Sequence, residues 1–292
     1  MAVLSFDGRT LTFYADGARH SAEVQAVYSV TNAENLSEWD MPPWYADART
    51  TVTNVVFDRS FRNYRPDSCA KWFQDFTSLT AIYRISNLDV SRATSLNSMF
   101  QNCSALTTLG IESFDTERVM DMGYMFYGCT NLRTIYASDA FTTDRLSDTE
   151  NRMFVGCNSL VSGHGTAFSS RSTGSAYARI DKGGADGYFT GEREAVAVYA
   201  DKTLTFYYDG RDHSAEGEVF PTKSTFTYAV DNPKPWRTVL AQGINNVVFD
   251  VSFADYRPRD CDAWFKNCIA LVSVTGLENL DVSKTTSLEQ MF

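Results

Sequence analysis

The sequence predicts an α/β solenoid in which every repeat supplies one strand and one short helix, with a β-rich N-terminal cap and a C-terminal hairpin cap. Three observations predict it. The phrase Met-Phe-x-x-Cys-x-x-Leu occurs at Met99-Phe100-Cys103-Leu106, Met125-Phe126-Cys129-Leu132 and Met153-Phe154-Cys157-Leu160. Apolar Phe61, Leu88, Phe114 and Phe141 follow one another at steps of 27, 26 and 27 residues. A fixed period in that range marks a repeat architecture, in which no unit buries its apolar face alone and neighbours must pack together. Within a repeat, Leu109 and Ile111 alternate with small or polar residues, as in a half-buried strand. Met122, Met125 and Phe126 then fall at helical spacing behind a capping Asp121, with Gly128 placed to end the helix.

Taken in order, Thr10-Leu11-Thr12-Phe13-Tyr14 leads to Asp16-Gly17, a hairpin signal. Residues 31–50, with Trp39 and Trp44, read as a loop, and Asn54-Val55-Val56-Phe57 as a further strand. Residues 1–58 form the expected cap and 59–168 the repeat array. Residues 169–193 form a closing hairpin, from Tyr177-Ile180 through Gly183-Gly184 to Tyr188-Thr190. The chain then begins again. Thr203–Gly210 matches Thr10–Gly17, His213-Ser214-Ala215-Glu216 matches His20-Ser21-Ala22-Glu23, and Leu280-Asp281-Val282-Ser283 matches Leu88-Asp89-Val90-Ser91. Residues 1–193 are therefore a first module, and 194–292 a second copy that stops within its second repeat.

The Met-Phe-x-x-Cys-x-x-Leu phrase, with Phe114-Asp115-Thr116 and Leu88-Asp89-Val90-Ser91, resembles the 26-residue leucine-rich-type repeat of BspA-like bacterial surface proteins, the DUF285 family. The resemblance implies a leucine-rich-repeat-like architecture on secreted or surface-anchored proteins used for adhesion or host contact. It implies no catalytic residues.

Composition narrows the function. The net charge of −10 opposes a nucleic-acid surface, which needs basic stripes. No apolar run reaches the length of a membrane helix. No secretory signal opens the chain, so an exported protein would carry its signal and anchor outside this stretch. Four of the six cysteines occupy the same repeat position, and the cysteines read as buried free thiols. Neither they nor His20, His164 and His213 match a zinc or triad pattern. Asp181–Gly187 lacks the alternating ligands of a calcium loop. Trp72, Trp264, Tyr64 and Tyr256 could form a carbohydrate platform, but their repeat positions favour the core.

The expected function is adhesion or protein–protein binding at a bacterial cell surface, without catalysis, metal or cofactor. The alternative is a passive spacer that presents another domain. The partner is expected to be a protein or cell-surface ligand, with no nucleic acid and no membrane insertion. The candidate binding face is the outward side of the strands, at Tyr83, Thr108, Thr134 and Tyr136. Small and hydroxylated surfaces with tyrosines suit adaptable contacts. The expected repeat core is Met99, Phe100, Cys103, Leu106, Met125, Phe126, Cys129, Leu132, Met153, Phe154, Cys157 and Leu160.

Overall fold

The computed structural model describes residues 1–20, 24–37, 39–147, 151–182, 185–222 and 234–292. The chain divides into two compact units, Met1–Glu192 and Arg193–Phe292. The matched segment at Ser21–Glu23 and the turn at Gly183-Gly184 lie outside the described residues.

The first unit opens with strands β1 (Ala2–Ser5), β2 (Thr10–Phe13) and β3 (Val24–Tyr28), followed by β4 (Asn54–Phe57) and β5 (Ala81–Tyr83). They form one sheet in the order β3-β1-β2-β4-β5. Strands β6 (Thr108–Gly110), β7 (Thr134–Tyr136) and β8 (Phe189–Thr190) form a second, three-stranded sheet. In the second unit, β9 (Val196–Ala200), β10 (Thr203–Tyr207), β11 (Glu218–Pro221), β12 (Asn246–Phe249) and β13 (Ser273–Thr275) form a sheet in the order β11-β9-β10-β12-β13. The two five-stranded sheets share a register: Thr10 pairs with Asn54 in parallel, and Thr203 with Asn246.

The expected α/β solenoid of leucine-rich-repeat type is not formed. The chain builds three separate sheets, and among the described residues the one α-helix is the four-residue α1 (Tyr45–Ala48), outside the repeats. Where helices were expected, the segments Lys71–Asp75, Ser98–Asn102, Tyr124–Gly128 and Arg152–Gly156 are runs of tight turns. Each has a left-handed residue at both ends, as at Tyr124 (φ 59°) and Gly128 (φ 72°). These residues tip alternate peptide planes. The N–H groups of Met125, Tyr127 and Cys129 close turns onto the third residue back. Those of Tyr124, Phe126 and Gly128 leave the segment and donate to Asn151, Met153 and Val155 in the next repeat, at 3.0, 3.0 and 2.8 Å. A helix sends every N–H along its own axis, four residues back. Here half of the donors go to a neighbour, so helical spacing of apolar residues arises without a helix.

The hairpin signals also resolve differently. β2 pairs antiparallel with β1 across Asp7-Gly8, and β3 pairs with the other edge of β1. Asp16-Gly17 only turns the chain away, with Asp16 Oδ1 accepting from the Ala18 N–H. The closing hairpin is corrected too: β8 runs parallel to β7, and Ile180 meets Phe189 in a parallel bridge.

The twelve repeat-core residues have no exposed surface. Phe73, Phe100, Phe126 and Phe154 stack in succession, with ring centroids 5.7, 5.9 and 5.5 Å apart. Trp72 and Trp264 are buried. Trp44 packs edge-on to Trp72, and its indole N–H donates to the Trp72 carbonyl at 2.8 Å; Trp236 and Trp264 repeat this at 2.9 Å.

Candidate functional site

The outward side of the strands is set by period-two alternation. Leu109, Ile135 and Phe189 point into the core and are buried. Thr108, Thr134, Tyr136 and Thr190 are half-buried. Register aligns them: Thr108 is opposite Thr134, Gly110 opposite Tyr136, and Tyr136 opposite Thr190. Three of the four candidate residues therefore share the three-stranded sheet. Tyr83, also half-buried, lies on β5 at the edge of the five-stranded sheet, opposite Val56.

Sequence reasoning missed the residues that continue this side. Thr12 pairs with Val56, and Thr190 with Tyr136. The Thr-Leu-Thr-Phe alternation marked the first of these but was read as half of a hairpin. Hydroxyl and amide side chains just before the strands are already committed. Thr80 donates to the Thr53 carbonyl at 3.1 Å, Ser78 to Thr50 at 2.8 Å, and Asn131 to Ser104 at 2.8 Å. They tie one repeat to the previous one.

The remaining chemistry-bearing residues are structural in their geometry. All six cysteines are free, and five are buried. Burial pushes the Cys129 thiol up to about 12 and the Cys261 thiol up to about 11. Asp181 is buried, accepting from Ser162 Oγ and from the Thr166 N–H; the Ser162 bond, followed by that from Thr166, holds its carboxyl below the ordinary range. His20 stacks on Tyr14 with ring centroids 3.8 Å apart and meets Asp16 at 3.0 Å. His213 stacks likewise on Tyr207 and is enclosed, its Nε2 3.0 Å from Asp209 and its Nδ1 3.0 Å from Glu216. Among the described residues no group of three or more His, Cys, Asp or Glu is placed to hold a metal ion. No described helix is long and apolar enough to cross a membrane.

A family model described as "Mycoplasma protein of unknown function, DUF285" matches residues 67–174. The match covers turn segments of the first unit and leaves the second unit outside it. Neither the curated proteins nor the solved structures contain a match.

Proposed function

We propose that the chain is a non-enzymatic binding protein of BspA-like type, exposed on a bacterial cell surface, and that it contacts a protein or other cell-surface ligand through the outward side of its strands. The observation that carries this reading is the in-register set Thr108–Thr134 and Gly110–Tyr136–Thr190. It offers hydroxyls and an aromatic ring on backbone held by strand pairing. Tyrosine gives large contact area at small entropic cost. The acidic balance of −10 supports a partner other than nucleic acid.

The test is flow cytometry with the fluorescently labelled full chain on cultured epithelial cells and on bacteria. Binding that falls in the Tyr83→Ala, Tyr136→Ala double variant, with an unchanged thermal midpoint, supports the reading. No binding to either cell type, or equal binding by the folded variant, overturns it.

A further inference from the structure

The second unit exposes an apolar face that its counterpart in the first unit keeps covered. Residues 277–292 align with 85–100, Leu280 with Leu88 and Met291-Phe292 with Met99-Phe100. Ile85, Leu96 and Phe100 are at most 3% exposed, whereas Leu277, Leu288 and Phe292 are 50, 49 and 63% exposed. The inner side of this face is built alike in both units. Phe73 and Phe100 stack with ring centroids 5.7 Å apart, and Phe265 and Phe292 pack at 5.3 Å. The N–H groups of Lys71 and Phe73 donate to Asn97 and Met99, and those of Ala263 and Phe265 to Glu289 and Met291. The outer side differs. In the first unit the N–H groups of Leu96, Ser98 and Phe100 donate to the carbonyls of Asp121, Gly123 and Met125 at 2.9, 2.8 and 2.9 Å. The Phe126 ring lies 5.9 Å from that of Phe100 and within 3° of parallel. Among the described residues no acceptor meets the matching N–H groups of Leu288, Gln290 and Phe292.

Backbone polarity selects the partner. Gln290 is left-handed (φ 53°), as Ser98 is (φ 56°), so alternate peptide planes are tipped and these three N–H groups share one side. The intervening Met291 N–H closes onto the Leu288 carbonyl. The edge of a β-strand alternates N–H with C=O and would set donors against donors. A helix commits its carbonyls along its own axis. A second copy arriving face to face brings the same donors. The opposite, carbonyl side of its turn segments is covered: the Trp72 carbonyl accepts from the Trp44 indole N–H, and the Trp264 carbonyl from that of Trp236. What fits is a segment like Asp121–Phe126, which presents alternate carbonyls beside buried Met122, Met125 and Phe126. Covering an N–H without pairing it costs free energy, so apolar cover and carbonyl register must arrive together. We propose that the outer face of Leu277–Phe292 docks a Met-Phe-x-x-Cys repeat of a partner polypeptide, one whose carbonyl side is uncovered. This face lies among the turns, separate from the outward side of the strands, and does not rest on it.

A fluorescein-labelled peptide with the sequence of residues 113–132, titrated under reductant into the full chain and followed by anisotropy, tests this. Saturable binding is expected. Phe126→Asn in the peptide removes the stacking ring and should weaken binding about tenfold. In the chain, Leu277→Asn with Leu288→Asn should weaken it likewise. Both side chains are half exposed, so the thermal midpoint should hold. A strand peptide with the sequence of residues 52–58 should not bind. Sedimentation equilibrium of the chain alone should show no dimer formed through this face. No binding of the 113–132 peptide below about 1 mM overturns the proposal. So does undiminished binding by the folded double variant, or equally tight binding of the strand peptide. A dimer that the double variant abolishes would give the face to a second copy and overturn it too.

Discussion

The thiol of Cys129 donates a hydrogen bond to the carbonyl oxygen of Phe100, 3.0 Å away in the preceding repeat. Cys103 does the same to Phe73 at 3.2 Å, and Cys157 to Phe126 at 3.0 Å. The repeated cysteine is thus a small apolar filler that also ties one turn segment to the last. Burial keeps the Cys129 thiol protonated, so the donor persists at neutral pH.

Cys129→Ala removes both the donor and the buried sulfur. It should cost about 1–3 kcal/mol in urea unfolding. A loss under about 0.5 kcal/mol, the range of surface sites, would show that the thiol contributes no tie.

Thiol reactivity should follow burial. In the native protein half-buried Cys268 should react first with an aromatic disulfide reagent, since the other five cysteines are buried. In denaturant without reductant six thiols should titrate. Four would reveal a bridge that contradicts the geometry.

Gly128 carries φ 72°, and a Cβ there would lie 2.1 Å from Asn102 Oδ1. Gly128→Ala should cost about 1–3 kcal/mol through backbone strain and this clash. Adding Asn102→Ala should make the pair less damaging than the sum of the single changes, a coupling readable by a double-mutant cycle. Strict additivity would separate the two residues.

Leu132 is fully buried in the first unit's core. Leu132→Ala should lower stability by about 2–5 kcal/mol, the cost of an unfilled leucine site. A change near zero in denaturant unfolding would place it outside the load of the core.

His213 should make stability depend on pH. Burial opposes its charge, but the hydrogen bonds and charges of Glu216 and Asp209 outweigh burial and raise its pKa above the ordinary value. Arg211 also lies near both carboxylates, at 3.5 and 3.6 Å. Because the folded value is raised, the stabilisation is fully present below about pH 6.5, the unfolded value. It is lost as pH rises through the folded value. Thermal midpoints of the parent and of His213→Gln should therefore converge from about pH 6.5 upward. A gap that widens with pH would reverse the assignment.

Much of this was readable in the residues, for local reasons. The apolar repeat positions, from Met99 to Leu160, must leave water wherever the chain goes, and their period announces itself. The strands Thr10–Phe13 and Asn54–Phe57 alternate clearly enough to be placed. The helices failed because spacing reports which side chains share a side, not where the N–H groups point. Met122, Met125 and Phe126 satisfy a helical pattern and a run of left-handed turns equally. The outward side of the strands was half legible: Tyr136 and Thr134 follow from alternation, while Thr12 and Thr190 needed the strand partners.

The residues by themselves determined the duplicated plan of the chain, the buried set and the strand positions near Leu11, Val55, Ile82, Leu109 and Ile135. These depend on side-chain polarity read along a few neighbouring residues. Only the tertiary structure decided that β3 crosses to β1, that Phe126 donates to Met153, and that Trp44 caps Trp72. Those outcomes depend on backbone hydrogen bonds and contacts between segments about 25 residues apart or more, and a backbone N–H carries no side-chain signature of the partner it will find.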